Sequence, residues 1–389
     1  MQKKMLVLTT ACHSVNHMFF DSLGPLLPFL IVAFSLNHAE AGRLGFIYYL
    51  VYGLFNYPSG HWSDRHGRRL FIMLFLLIAS ASTLLMIFSS SYIQLLILCG
   101  LAGLGGGLYH PAGTALLSEN VPKESRGRNL GIHASGGSLG IIIAFVIIGG
   151  VASHYNWKIA LVCLSGIGFC LALCFRLFLW DVKDSVVEEK IEPKANSNSK
   201  DIPFWTLLKW MPFMLILYGF VMFLFKGAYT WIPTYIKETY HLSSGRAIVF
   251  SIILPVIGIF SNYLMGKFSD FYGRKLSLVI VFGLLAICFF LLSLGSRTFL
   301  IPILVLMGFF INSFSGIVNA YLGDFIPAKI LGRAFGIIFT FSICFSSLAP
   351  YVMGIISDHS SLATSMLFMS AVSAAGALFS LKSPKKFEV

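Results

Sequence analysis

Asp21 and Lys226 are the residues with the most chemistry to offer. Asp21 is the only acid near the middle of a long apolar run, and Lys226 is a cation near the middle of another. An ionisable group held in hydrocarbon is costly, so it normally faces a partner or a watery path. The two positions are 226 − 21 = 205 residues apart, and Pro28 and Pro233 are separated by the same number. They are therefore corresponding residues of a repeated unit. An acid and a base placed this way can exchange a proton or a substrate charge, or they can simply lock two helices together. His13 and His17 precede Asp21 at intervals of four, so all three fall on one stripe of a helix, with Asn16 beside them. His110 precedes Pro111, which removes a helical hydrogen bond and leaves a carbonyl free. An imidazole, with an ordinary pKa near ~6.5, can carry a proton there. His133 stands near the end of its apolar run and is a weaker candidate.

The elements that must position these groups are long apolar helices. The chain of 389 residues is 57% hydrophobic and 11% charged, with mean hydropathy +0.82. Soluble domains carry roughly 25% charged residues. Twelve runs reach the roughly 20 residues that a helical span needs, beginning with 5–33 and with 205–235 as the seventh. They are too long, and too little alternating, for strands of a membrane barrel. The net charge of +12 is not a nucleic-acid footprint, because Lys and Arg collect in alternate gaps. That is the positive-inside pattern, and it puts both termini in the cytoplasm. The seven cysteines all lie in apolar runs without motif spacing, so neither a disulfide framework nor a zinc framework is expected.

The chain repeats itself. Gly60-His61-Trp62-Ser63-Asp64-Arg65-His66-Gly67-Arg68-Arg69 returns as Gly266-Lys267-Phe268-Ser269-Asp270-Phe271-Tyr272-Gly273-Arg274-Lys275, and Glu119-Asn120-Val121-Pro122 returns as Asp324-Phe325-Ile326-Pro327. The polar stretch from Asp181 to Pro203 divides the two copies. The expected architecture is an all-α membrane protein of twelve transmembrane helices in two pseudo-symmetric six-helix bundles, 1–180 and 204–389, joined by a cytoplasmic linker, 181–203.

The doubled G-x-x-x-D-x-x-G-R-R/K loop resembles the signature of the major facilitator superfamily, and Glu119 followed by Arg126 resembles that family's second cytoplasmic loop pattern. The resemblance implies a gate. Gly60 would permit close helix approach, Asp64 would cap the N-terminus of the eleventh span, and Arg68 would pair with Glu119. Asp270, Arg274 and Asp324 would repeat the arrangement. His13, Asn16, Asp21 and the Tyr109-His110-Pro111 turn are similar to fosmidomycin-resistance-type exporters. The fifth span carries Gly131, Gly140 and Gly149, spaced like the glycines of the family's antiporters. It has Ala144-Phe145 where their central Gly-Pro belongs, which weakens the case for antiport.

The expected function is secondary active transport of a small solute by alternating access, coupled to protons through Asp21, Lys226, His17, His13, His110 and Asn16. Efflux of a drug-like or organic-anion compound is the leading expectation. Proton-coupled uptake of a nutrient or organic acid is the alternative. Transition-metal transport, with His13, His17, Asp21 and His110 as ligands, comes third. No Walker loop and no nucleophile–base constellation is present, so neither an ATP-driven pump nor an enzyme is expected. No cofactor and no resident metal are assigned. The expected partners are the solute, protons and the lipid bilayer, not nucleic acid. The expected form is a monomer in a bacterial inner membrane.

Overall fold

The computed structural model describes residues 2–122, 125–180, 211–325 and 331–382. The expected linker, 181–203, and the expected start of the seventh span at 205 lie outside the described residues.

Every regular element among the described residues is helical. In chain order these are α1 (Gln2–Phe20), α2 (Leu23–Phe34), α3 (His38–His66), α4 (Arg68–Leu85), α5 (Tyr92–Gly107), α6 (Tyr109–Glu119), α7 (Arg126–Ile147) and α8 (Trp157–Leu179). Then follow α9 (Pro212–Thr239), α10 (Ser244–Ser251), α11 (Ile253–Tyr272), α12 (Arg274–Ser293), α13 (Leu300–Phe325), α14 (Leu331–Ser346), α15 (Leu348–His359) and α16 (Leu362–Ser380). Four pairs, α1–α2, α5–α6, α10–α11 and α14–α15, are single rods with a break, which leaves twelve rods. Eleven are long and apolar enough to cross a membrane. The twelfth, α3, is dilute in apolar residues because its later half carries Asn56, Ser59, His61, Ser63 and Asp64. Its 29 residues still extend about 43 Å, enough for a bilayer.

Proline explains the breaks. Pro25, Pro111, Pro255 and Pro350 each stand three residues after a break, where the missing N–H frees the carbonyl four residues earlier. In lipid a freed carbonyl needs another donor. Gly107 is the carbonyl that Pro111 releases, and the Ser59 hydroxyl donates to it at 3.1 Å. Its neighbour Gly106 accepts from the Asn16 amide at 2.9 Å. The α1–α2 break falls at Asp21 and Ser22, so the sequence signal for a break and the buried acid coincide.

Within the first six rods α1 packs on α7, α3 on α5, and α4 on α5 and α8; within the last six, α9 packs on α14, α11 on α13, and α12 on α16. The two sets meet through α3 against α14 and α15, and α2 against α9. This seam is backbone against backbone at its glycines. A Cβ at Gly24 would stand 2.0 Å from the Tyr229 carbonyl oxygen, and one at Gly354 would stand 2.3 Å from that of His38. Only glycine allows these approaches.

Candidate functional site

The Lys226 ammonium donates to Asp21 Oδ1 at 2.5 Å, and both residues are 1% exposed. The corresponding residues of the repeat therefore touch. Two elements aim them. The α1–α2 break delivers the carboxylate, and the unbroken middle of α9 delivers the ammonium. The ammonium also sits 3.4 Å from the centroid of the Phe20 ring, with Tyr49 at 4.7 Å and Phe225 at 5.3 Å. Aromatic faces stabilise a desolvated cation. On the other side His17 Nδ1–H donates to Asp21 Oδ2 at 3.3 Å. Each carboxylate oxygen thus has one donor, and the buried pair is neutral as a whole.

The histidines form a cluster beside that pair. His13 Nδ1–H donates to the His133 carbonyl at 2.7 Å, and the two rings stack at 4.5 Å. His110 lies 5.1 Å from His13 and 5.6 Å from His17, ring to ring. Among the described residues its Nε2 is buried without a hydrogen-bond partner, as are both ring nitrogens of His133. Its place near the end of a span made His133 the weaker candidate, yet α1 and α7 pack so closely that it lands on His13. Glycine spacing on α7 was the available signal: a Cβ at Gly140 would stand 1.9 Å from the Ser14 carbonyl oxygen. Asn16 joins α1 to α3 and α5, donating to Gly106 and accepting from the Tyr52 hydroxyl at 2.9 Å.

The repeated loops form ion clusters at the end of the molecule that carries the N-terminus. Arg68 donates to Asp64 at 3.1 Å and pairs with Glu119. Arg274 pairs with Asp270 at 2.5 Å and with Asp324 at 3.0 Å. A Cβ at Gly60 would stand 3.3 Å from Pro111, so this glycine seats α3 on α6. Arg126 opens α7, and its Nε is buried with no hydrogen-bond partner among the described residues. The expected partner of Asp64, the start of the eleventh span, adjoins 326–330, outside the described residues.

The opposite end holds a junction that sequence reading missed. Asp358, late in α15, accepts the backbone N–H of His38 at 2.9 Å and of Ala39 at 2.8 Å, and so caps α3 across the seam. His38 Nε2–H donates to Glu238 at 3.1 Å, and His38 Nδ1 lies 3.3 Å from Asp358. Lys237 donates to the Pro28 carbonyl at 2.8 Å. His38 stands outside the apolar span at 43–59. The Glu238 hydrogen bond, with the charges of Glu238 and Asp358, outweighs burial and raises its pKa above the ordinary 6.5. Partners 200 and 320 residues away, unrelated by the repeat offset, left no local signal.

The family model described as Major Facilitator Superfamily matches residues 9–262 and 248–388. Over 374 residues the chain is 26% identical to a probable 4-methylmuconolactone transporter of Cupriavidus pinatubonensis, covering 92% of this chain and 84% of that protein. It is 24% identical over 358 residues to the cis,cis-muconate transport protein of Acinetobacter baylyi, covering 87% and 83%. Among solved structures it resembles a bacterial homolog of the human lysosomal transporter Spinster in an inward-facing, unoccupied conformation. The TM-score there is 0.82 at 18% identity, with 97% and 96% of the two chains covered.

Proposed function

The chain belongs to the Major Facilitator Superfamily, so it is a membrane transporter and not an enzyme, and from that premise we propose that it imports a small organic anion together with a proton. The observation that carries this reading is the buried contact between Asp21 and Lys226. A carboxylate that enters takes Lys226 only by displacing Asp21. It brings one negative charge into a pair that was neutral, and burying a net charge is expensive. One cation must accompany each negative charge, two for a dicarboxylate, and the proton is the cation we assign. Anion and cation then travel together, which is symport; an inward proton gradient makes it uptake. The export expected from the sequence is set aside on this ground, since antiport requires solute and proton to exclude each other.

The relatives support the substrate class. Muconate is a dicarboxylate, and the muconate transporter resembles this chain along most of its length. The distribution of Lys and Arg supports an inner-membrane orientation with the termini inside, which makes the His38 junction the outer seal. Asp64, Arg68, Glu119, Arg126, Asp270, Arg274 and Asp324, with Gly60, serve as the inner gate in this scheme. Asp21 and Lys226, flanked by His17, His13, His110 and Asn16, serve as the coupling site. The two six-rod bundles are the moving units, joined by 181–203.

The test uses proteoliposomes and a panel of mono- and dicarboxylates that includes cis,cis-muconate. Wild-type protein should accumulate a carboxylate when the outside is acidic, and Lys226→Met should not. Uptake indifferent to an imposed pH gradient would refute the coupling. Unchanged transport by Lys226→Met, or no carboxylate carried at all, would refute the substrate class.

A further inference from the structure

We propose that His13, His17 and His110 form a binding site for one divalent first-row transition-metal ion of the zinc type. One ligand nitrogen from each of the three lies within 4.8 Å of the others. Around zinc, with Zn–N near ~2.1 Å and tetrahedral angles, such nitrogens stand about 3.4 Å apart. Closing that difference takes about an ångström of side-chain rotation and no movement of a helix.

The tautomers are already set for coordination. A metal-binding imidazole characteristically donates its second N–H to a carbonyl or a carboxylate. His13 does so through Nδ1 to the His133 carbonyl at 2.7 Å, and His17 through Nδ1 to Asp21 at 3.3 Å. Each is left with the Nε2 lone pair free. His110 adds an Nε2 that is buried and has no hydrogen-bond partner among the described residues, a costly arrangement that an ion would relieve.

Space has been left at the nitrogens. A Cβ at Gly137 would stand 3.1 Å from His17 Nε2 and 3.2 Å from His13 Cε1, so any side chain there would fill the place beside the ligand atoms. Three imidazoles without a thiolate suit zinc, and the fourth position stays open. The His17 side chain is 22% exposed, which gives an ion a way in. The ligands come from α1 and α6 within the first six rods, so the site does not depend on contact between the two bundles.

Purified full-length protein, stripped with chelator, is titrated with Zn2+ by calorimetry and with Co2+ by visible absorption. Wild type should bind one equivalent that His13→Gln and His110→Gln each lose, with Kd weakened about 100-fold or more. Gly137→Val, which keeps all three imidazoles, should weaken it too. The Co2+ complex should show the intense band of a four-coordinate ion. His61, His66, His154 and His359 lie outside the site, so binding by them persists in all variants. Equal stoichiometry and affinity in wild type and the His13→Gln/His110→Gln double variant would overturn the proposal. If the variants fold poorly, the wild-type Co2+ spectrum decides alone: a weak six-coordinate spectrum, or no binding, overturns it.

Discussion

Replacing Asp21 with Asn leaves the Lys226 ammonium buried without its counter-charge. At 2.5 Å and an effective dielectric near ~20, the attraction lost is about 7 kcal/mol. The Asn carbonyl still offers a dipole, and the Phe20 ring at 3.4 Å keeps roughly 2 kcal/mol of cation–π attraction. Net destabilisation should therefore fall at about 3–5 kcal/mol, the range for breaking one side of a buried pair. Asp21→Asn/Lys226→Met removes both charges and should recover most of it, giving a coupling energy of about 3 kcal/mol in a double-mutant cycle. Unfolding driven by sodium dodecyl sulfate in mixed micelles measures each variant. The same argument predicts that an external carboxylate will rescue the single variant. If it restores half of the loss, cis,cis-muconate should bind Asp21→Asn about 30-fold more tightly than wild type, read as a larger thermal shift. Additivity within ~0.5 kcal/mol would refute the energetic reasoning. Unaltered anion affinity would refute the idea that substrate and Asp21 compete for Lys226.

Three further outcomes follow from the seam and the gate. His38 is flanked by Glu238 on α9 and Asp358 on α15 and stacks edge-on with Trp231 at 5.6 Å, so parting the bundles removes both carboxylates and returns its pKa toward 6.5. Closure of this end is then fully favoured below 6.5 and weakens as pH rises through the raised value; labelling of a cysteine introduced at this end should increase over that window in wild type and stay flat in His38→Gln. Asp358→Ala removes the acceptor of the His38 and Ala39 N–H groups, worth about 1 kcal/mol, while Asn37 and Glu40 still cap α3, and should shift spin-label distances across this end toward the open state; unchanged distances would count against Asp358 as a latch. Asp64→Asn and Arg68→Ala should impair transport more than anion binding, because they lie at the molecule's end and not at the Asp21 level; equal loss of both would contradict the gate.

Much of this was legible in the chain because the repeat supplies a coordinate system. An offset of 205 related Asp21 to Lys226, an offset of 206 related Asp64 to Asp270, and packing in the structure brings the first pair into contact. The helix breaks were legible as well, since a proline states where a hydrogen bond is missing. Contacts that do not obey the repeat were not legible. His133 reaches His13 because α7 and α1 touch along glycines, a matter of which faces meet. His38, Glu238 and Asp358 converge from three helices of different register. Phe20, Tyr49 and Phe225 around Lys226 could not be told from lipid-facing aromatics by type. The polar α3 shows the opposite failing: hydropathy under-counts a span whose neighbours shield it.

The glycine seam bears on how gradually the molecule can open. Side-chain interfaces yield by degrees, since long side chains stretch and change rotamer as the walls part. At Gly24 and Gly354 the nearest atoms across the seam belong to the main chain itself. A gap of 0.5–1 Å already forfeits a quarter to a half of the dispersion well there. Such a contact has no half-made form. The two bundles should therefore snap between seated and separated, and half-open forms of this end should be too short-lived to accumulate.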